Sequence, residues 1–226
     1  LDDQAFGVRF DLGAGLFHAA IHTLDGMVYI DPYASNLATG YYFSYFTKDL
    51  DLSQTNLGSL SCGINTTELA MEEPRRETTN TTPGLTLRGS VAQPLRTYRL
   101  ALACTGEYAQ VNGGTVEKVL ASMNTALNRV NQLVTRETAV KLMMIDNNDT
   151  LIYLDAATDP YNEPSNAETL VTVNPGILNA RIGATSYDIG HVFTRGCINN
   201  IGGIAQRESV CKTNKGAGVT CFYRTD

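Results

Sequence analysis

The sequence predicts a mixed α/β (α+β) protein in two parts. A small all-β module comes first, and a strand–helix domain on a mixed, mostly parallel sheet with two main helices follows. Three observations carry this reading. Apolar residues alternate around an Asp-Gly turn near the start, a Thr/Pro-rich polar stretch interrupts the chain, and beyond Pro94 the apolar period switches between two and 3.6. The parts are placed at residues 1–64, 65–94 and 95–226.

In the first part, residues 8–12, 17–23 and 27–30 read as strands, the last two joined by Leu24-Asp25-Gly26. Asp-Gly between alternating apolar residues is a strong hairpin signal, because both central positions of the tight turn need positive φ. The run Tyr41-Tyr42-Phe43-Ser44-Tyr45-Phe46 adds a β-prone aromatic segment that needs cover. So short a module buries little apolar surface on its own, so docking onto a neighbour is expected. Residues 65–94 show no sustained period and read as a linker, with Glu72-Glu73-Pro74-Arg75-Arg76 a candidate cleavage point.

In the third part, residues 98–104 read as a strand. Thr115 is placed to cap a helix whose apolar face is Val116, Val119, Leu120, Met123, Leu127, Val130 and Val134. Residues 139–145 form the next strand, and the polar turn 146–149 leads into 151–154. Asn166, with Glu168 in the first turn, opens a second helix that Pro175-Gly176 is expected to bend or interrupt. Residues 187–193 are a further strand. Residues 204–210 read as one more, and charged Arg207 and Glu208 suit a sheet edge.

Composition narrows the function. The 226 residues are 43% hydrophobic, enough for a core, and the net charge of -6 comes without any lysine/arginine block, so nucleic acid is not an expected partner. No apolar run approaches the roughly 18 residues that cross a bilayer, so no membrane span is expected. Five cysteines among abundant Thr, Asn and Gly point to a secreted, disulfide-tolerant protein, and the odd count leaves one thiol over. Asn65, Asn80 and Asn148 head Asn-x-Thr triplets, which are glycosylation acceptors in a eukaryotic source.

Few residues announce chemistry singly. His18 and His22 have helical zinc-ligand spacing but sit in a predicted strand, where residues four apart lie about 13 Å from each other, too far for one ion. His191 alone cannot make a zinc site, and with no Gly-x-Ser-x-Gly elbow it reads as a hydrogen-bonded strand residue. A hydrolase centred on it would need a nucleophile within about 3.2 Å of the ring. The acidic residues 146–159 lack the spacing of a calcium loop. Cys62, followed by glycine and placed between a β module and a tether, reads locally as a buried or disulfide-bonded cysteine. As a thiolate on zinc, it would occupy the water's position.

A longer pattern changes the weight on Cys62. Residues 97–108 (TYRLALACTGEY), 127–131 (LNRVN), 187–193 (YDIGHVF), and the stretches 203–212 and 216–220 together resemble the secreted reprolysin-like (adamalysin-type, metzincin) zinc metallopeptidases, particularly their bacterial branch. Residues 7–63, with Val28-Tyr29-Ile30-Asp31-Pro32-Tyr33 and Cys62-Gly63, are similar to such a family's propeptide. The resemblance implies a zymogen that cleaves peptide bonds by zinc-activated water, with Cys62 as the cysteine-switch ligand that keeps it latent and the propeptide docked on its own catalytic domain. It further implies that Cys104, Cys197, Cys211 and Cys221 remain for disulfides. Gly203, Ile204 and Ala205 fall on the edge strand along which an extended peptide or protein substrate would pair. Some relatives hold calcium through an acidic residue in the first strand. Arg99 stands there instead, with Asp188 a candidate partner, so calcium is not carried over. The family's His-Glu-x-x-His-x-x-Gly-x-x-His motif is not in this sequence, so the chain is expected to be inactive and to hold no zinc alone. The alternative reading is a non-catalytic peptide-binding or inhibitory module.

Overall fold

The computed structural model describes residues 7–34, 40–50, 61–62 and 94–222, which build two sheets. The predicted linker, its candidate cleavage point and the acceptors Asn65 and Asn80 lie outside the described residues. The first sheet is an antiparallel meander of β1 (Gly7–Gly13), β2 (Leu16–Thr23), β3 (Gly26–Pro32) and β4 (Tyr42–Phe46). Its central turn falls at the predicted place but is not of the predicted kind: Thr23 pairs with Gly26, so Leu24 and Asp25 make the turn without positive φ, and only Gly26 beside them takes one, at 122°, with the Thr23 hydroxyl donating to its carbonyl at 2.9 Å.

The pleat of this sheet sorts its residues unexpectedly. Cross-strand register puts Val8, Phe10 and Leu12 on one face with Phe17, Ile21 and Ile30, and puts Arg9, Asp11, His18 and Asp31 on the other. The polar face is the one docked against the long helix of the second part. The apolar face points away, with Phe10 68% and Leu12 74% exposed. The module therefore docks onto a neighbour as expected, but through its charged side.

The second sheet has the order β5-β9-β10-β8-β6-β7. Its strands are β5 (Ser61–Cys62), β6 (Arg96–Cys104), β7 (Val140–Met144), β8 (Ile189–Arg195), β9 (Ile201–Ala205) and β10 (Gly218–Phe222). The strands β7, β6, β8 and β10 run parallel, β9 is antiparallel to β10, and β5 adds in parallel outside β9. The helices are α1 (Gly106–Val111), α2 (Val116–Thr138) and α3 (Ala167–Ile182). The second half of β6, Leu100 to Cys104, is buried on both faces, as a central parallel strand must be. Its Leu100 and Leu102 pack under α2 with Met123, and its Ala101 and Ala103 pack under α3 with Leu170 and Leu178.

Both predicted caps are made. The Thr115 hydroxyl accepts from the Lys118 amide, and the Asn166 side chain accepts from the Glu168 and Thr169 amides. Several expectations need correction. Val130 is exposed, because Asn131 takes the inward position and bonds the amide and carbonyl of Leu142. The α3 helix runs uninterrupted through Pro175-Gly176. It is pinned there by the fully buried Asn174, which accepts from the Tyr161 hydroxyl and donates to the Gly216 carbonyl. Residues 148–151 form a 3-10 turn, and beyond it lies a single bridge from Ile152 to Cys104. Asn148 supplants a strand there by bonding both the amide and the carbonyl of Leu102 at 2.9 Å. The edge strand ends at Ala205, so Arg207 and Glu208 lie in the following turn, where Glu208 has φ 53°. Neither α1 nor β10 was anticipated.

Candidate functional site

The outer edge of the second sheet gathers the residues singled out in sequence. Gly203 sits mid-strand in β9, registered with Thr220 of β10 on one side and Cys62 of β5 on the other. A Cβ at position 203 would lie 2.6 Å from the Val219 carbonyl, so glycine is what lets β9 lie close on β10. Ile204 and Ala205 complete the β9 segment, opposite Val219 and Gly218. The register carries one row across the sheet, from Cys62 through Gly203, Thr220 and Phe193 to Cys104. The place where an added strand would pair is thus taken by the chain's own residues 61–62. The position of the Cys62 sulfur lies outside the described atoms.

His191 lies two residues from that row along β8, on the same face as Phe193. Its Nε2 is 2.8 Å from the Thr220 hydroxyl, and its ring meets Phe193 edge-on at 5.7 Å between centroids. Burial pushes the imidazole down to about 4. A hydroxyl thus lies within reach, but a ring that burial holds so low is a poor general base at neutral pH, which weighs against a hydrolase centred on it. The bond reads as two polar groups satisfying each other inside a sheet.

The other candidates separate cleanly. His18 Nδ1 lies 2.7 Å from Asp31 Oδ1, on the face of the first sheet that it shares with His22. Among the described residues no three His, Cys, Asp or Glu side chains come together as metal ligands. The residues described do not by themselves fit a zinc site. Arg99 pairs with Asp188 in a two-pronged contact, Nε to Oδ2 at 3.1 Å and Nη2 to Oδ1 at 2.8 Å, while the Arg99 amide also donates to Oδ2 at 2.8 Å. These bonds hold the Asp188 carboxyl below its ordinary range. The guanidinium therefore gives the aspartate a charged, two-pronged partner.

The cysteines divide by setting. Cys197 and Cys221 form a disulfide that ties the segment after β8 to β10. Cys104 is a buried thiol, and burial raises it to about 12, which leaves it unreactive. Cys211 is an exposed thiol whose amide donates to the Asp188 carbonyl at 3.0 Å. One of the expected disulfides is thus present among the described residues.

Sequence reasoning did not pick out Asp11, Asp31 and Arg129 as a docking cluster. The signal available was a charged pair of strand positions opposite a polar helix stripe, which by itself reads as solvated surface.

Comparison with known proteins agrees with the topology. A search of curated proteins returned no match. The family model of reprolysin-like metallopeptidases of family M12B matches residues 94–224, from just before β6 to just beyond β10. That span is more than half of the chain and covers the second sheet, β5 excepted, with its helices, so the chain belongs to the reprolysin-like metallopeptidases of family M12B.

Proposed function

We propose that residues 1–64 are the propeptide of a secreted zinc metalloendopeptidase zymogen, that residues 95–226 are the N-terminal part of its catalytic domain, and that Cys62 is its latency ligand. Peptidase activity in general follows from family membership. The observation that carries the finer reading is the placement of Ser61–Cys62 on the outer edge of β9, with Cys62 registered to Gly203. A strand added at that edge makes the main-chain bonds an extended substrate would make, so substrate and propeptide compete for one strip of backbone. Gly203, Ile204 and Ala205 are the substrate-pairing segment in this reading. Cys62 is delivered by the strand that blocks them.

The zinc-binding histidines and the water-activating glutamate of the family are not in these residues, so hydrolysis is assigned to the parent protein and not to this stretch. Bound there, zinc would supply Lewis acidity for the attacking water. The contribution of this chain is to align the peptide along β9 and to keep it out until the propeptide leaves. Secretion is supported by the Cys197–Cys221 disulfide, and among the described residues no helix is long and apolar enough to cross a membrane. An already occupied β9 edge weighs against a free-standing peptide-binding module.

In the complete zymogen, Cys62→Ala is expected to give activity before any processing, measured as cleavage of a quenched-fluorescent peptide. Unchanged latency would remove Cys62 from the role. On the 226-residue chain alone, a metal assay is expected to find no stoichiometric chelatable zinc, and tightly held histidine-ligated zinc would overturn the assignment.

A further inference from the structure

The helix α2 has two working faces. Val119, Met123 and Leu127 pack onto the second sheet, whereas Ala121, Thr125, Asn128, Arg129, Gln132 and Thr135 form a second stripe, spaced by three, four or one residues, that meets the first sheet. We propose that this polar stripe is a recognition site for the β1–β4 sheet in its own right, one that holds the sheet in place after the connecting chain has been cut. Its consequence for latency rests on the propeptide reading, but the binding itself does not.

The contact is commensurate along its length. From Ala121 to Thr135 the helix rises about 21 Å, and from Gly7 to Gly13 the strand rises about 20 Å. Strand β1 therefore lies antiparallel along the helix, and each of its inward residues meets a helix partner. Gly13 comes so close to Ala121 that a Cβ there would lie 2.7 Å from the alanine methyl. Asp11, only 8% exposed, accepts from the Thr125 hydroxyl at 2.6 Å and from Asn128 Nδ2 at 3.1 Å. Arg9 Nη2 donates to the Thr135 hydroxyl at 3.0 Å, and Gln132 Nε2 donates to the Gly7 carbonyl at 3.0 Å.

A second anchor comes from β3. The Asp31 carboxylate accepts from Arg129 at 2.5 Å, from His18 at 2.7 Å and from the Tyr45 hydroxyl at 2.8 Å. The Arg129 guanidinium lies 4.7 Å from the centre of the Tyr29 ring. Two groups of the first sheet, Asp31 and Tyr29, thus meet one helix residue, and His18 and Tyr45 fix the carboxylate between them.

Such an interface differs from a core. It is built from hydrogen bonds and two carboxylates, so the helix stripe stays compatible with water when vacated, as in interfaces between separable partners. Directional bonds at matched spacing also give it specificity for this sheet over other surfaces. It lies on α2, away from the β9 edge where Cys62 is registered, so the two attachments are separate. Cutting the tether releases neither of them. Processing and unblocking are then two steps.

The test uses the whole chain with a site-specific protease sequence placed in residues 78–83. After complete cutting, size-exclusion chromatography at micromolar concentration is expected to show both pieces co-eluting near the 24.5 kDa of the intact chain. The pair Asp11→Asn and Asp31→Asn is expected to weaken the association at least ~100-fold, so that the pieces separate. From the helix side, Asn128→Ala with Arg129→Ala should do the same, which guards against a misfolded first sheet in the aspartate variant. Cys62→Ala should co-elute like the wild type. Separation of the wild-type pieces, or co-elution in both interface variants, overturns the proposal. Release by Cys62→Ala alone also overturns it and places the affinity at the β9 edge. Failure of Cys62 to maintain zymogen latency would leave the co-elution result unchanged.

Discussion

Gly203→Ala tests whether β9 is held as closely as the structure places it. A methyl group at position 203 starts 2.6 Å from the Val219 carbonyl oxygen, a backbone atom, and must retreat to at least 3.4 Å to make an ordinary contact. Neither β10, stitched to β8 along its other side, nor the β5 pairing at the same residue gives way freely. Overpacking of this kind costs about 1–3 kcal/mol, and each ladder bond it stretches adds up to about 1 kcal/mol. Alanine returns about 0.5–1 kcal/mol by restricting the unfolded chain. The net expectation is a loss of about 2 kcal/mol, read from urea unfolding followed by circular dichroism at pH 7. Gly176→Ala is the matched control: that position is helical with nothing within 4 Å of its new methyl, so it should gain about 0.5–1 kcal/mol. A Gly203→Ala chain within 0.5 kcal/mol of the wild type would refute the steric argument.

Other perturbations address the charged and covalent links. In Asp31, burial opposes ionisation, but the His18 hydrogen bond, the Arg129 charge and the Tyr45 hydroxyl together hold the carboxyl below its ordinary range. Its stabilisation is therefore complete above the unfolded carboxylate pKa near 3.9 and is lost as pH falls through the lower folded value. Asp31→Asn should cost about 2 kcal/mol at pH 7, discounted for the partial exposure of Arg129, and the deficit should shrink in urea unfolding at pH 3; a pH-independent deficit would count against the cluster. His191, pushed down to about 4, is neutral when folded but takes a proton when unfolded below about 6.5. The chain should consequently lose about 2 kcal/mol between pH 6.5 and 4, somewhat less than a fully shielded group would give because His191 as a residue is only half-buried; His191→Gln should flatten that stretch of a stability–pH curve. Reducing Cys197–Cys221, whose partners are 24 residues apart, should lower stability by about 3 kcal/mol in a dithiothreitol titration, and no change would mean that the bridge closes an already fixed loop.

What the sequence made legible follows from how far each signal reaches along the chain. The Asp25-Gly26 turn, the Thr115 and Asn166 caps and the doubly buried run of β6 are local devices, and each was readable within ten residues. Pro175 misled because its penalty is local while its compensation, Asn174 bonded to Tyr161 and Gly216, is tertiary. Residues 151–154 misled similarly, since the side chain of Asn148 replaces a strand without any β-like pattern. The orientation of the first sheet was not readable at all. Alternation reports which face is apolar, not which face is docked, and here the docked face carries Asp11 and Asp31. Gly203, Ile204 and Ala205, the proposed substrate-pairing segment, could each be singled out in the sequence, but the register of Gly203 with Cys62 depends on a chain crossing that no window of sequence contains.

That crossing has an energetic condition. The strand β5 is two residues long, and its register shifts between Ser61 and Cys62, so by itself it offers too few ladder bonds to outcompete an extended peptide. It becomes effective only if its local concentration is high. The first sheet docks on α2, beside β6 and β7, while β5 sits at the opposite edge of the second sheet. Five inter-strand spacings, about 24 Å, separate those edges, and beyond the 3-10 turn at Thr47–Asp49 residues 50–60 can reach at most roughly 36 Å. The docked sheet therefore keeps the short strand within reach of β9 at an effective concentration of order millimolar, whatever happens to the chain on the far side of Cys62. Weakening the α2 stripe should accordingly free the β9 edge even with Cys62 intact, because the stripe, and not the two-residue pairing, sets how often that edge is covered.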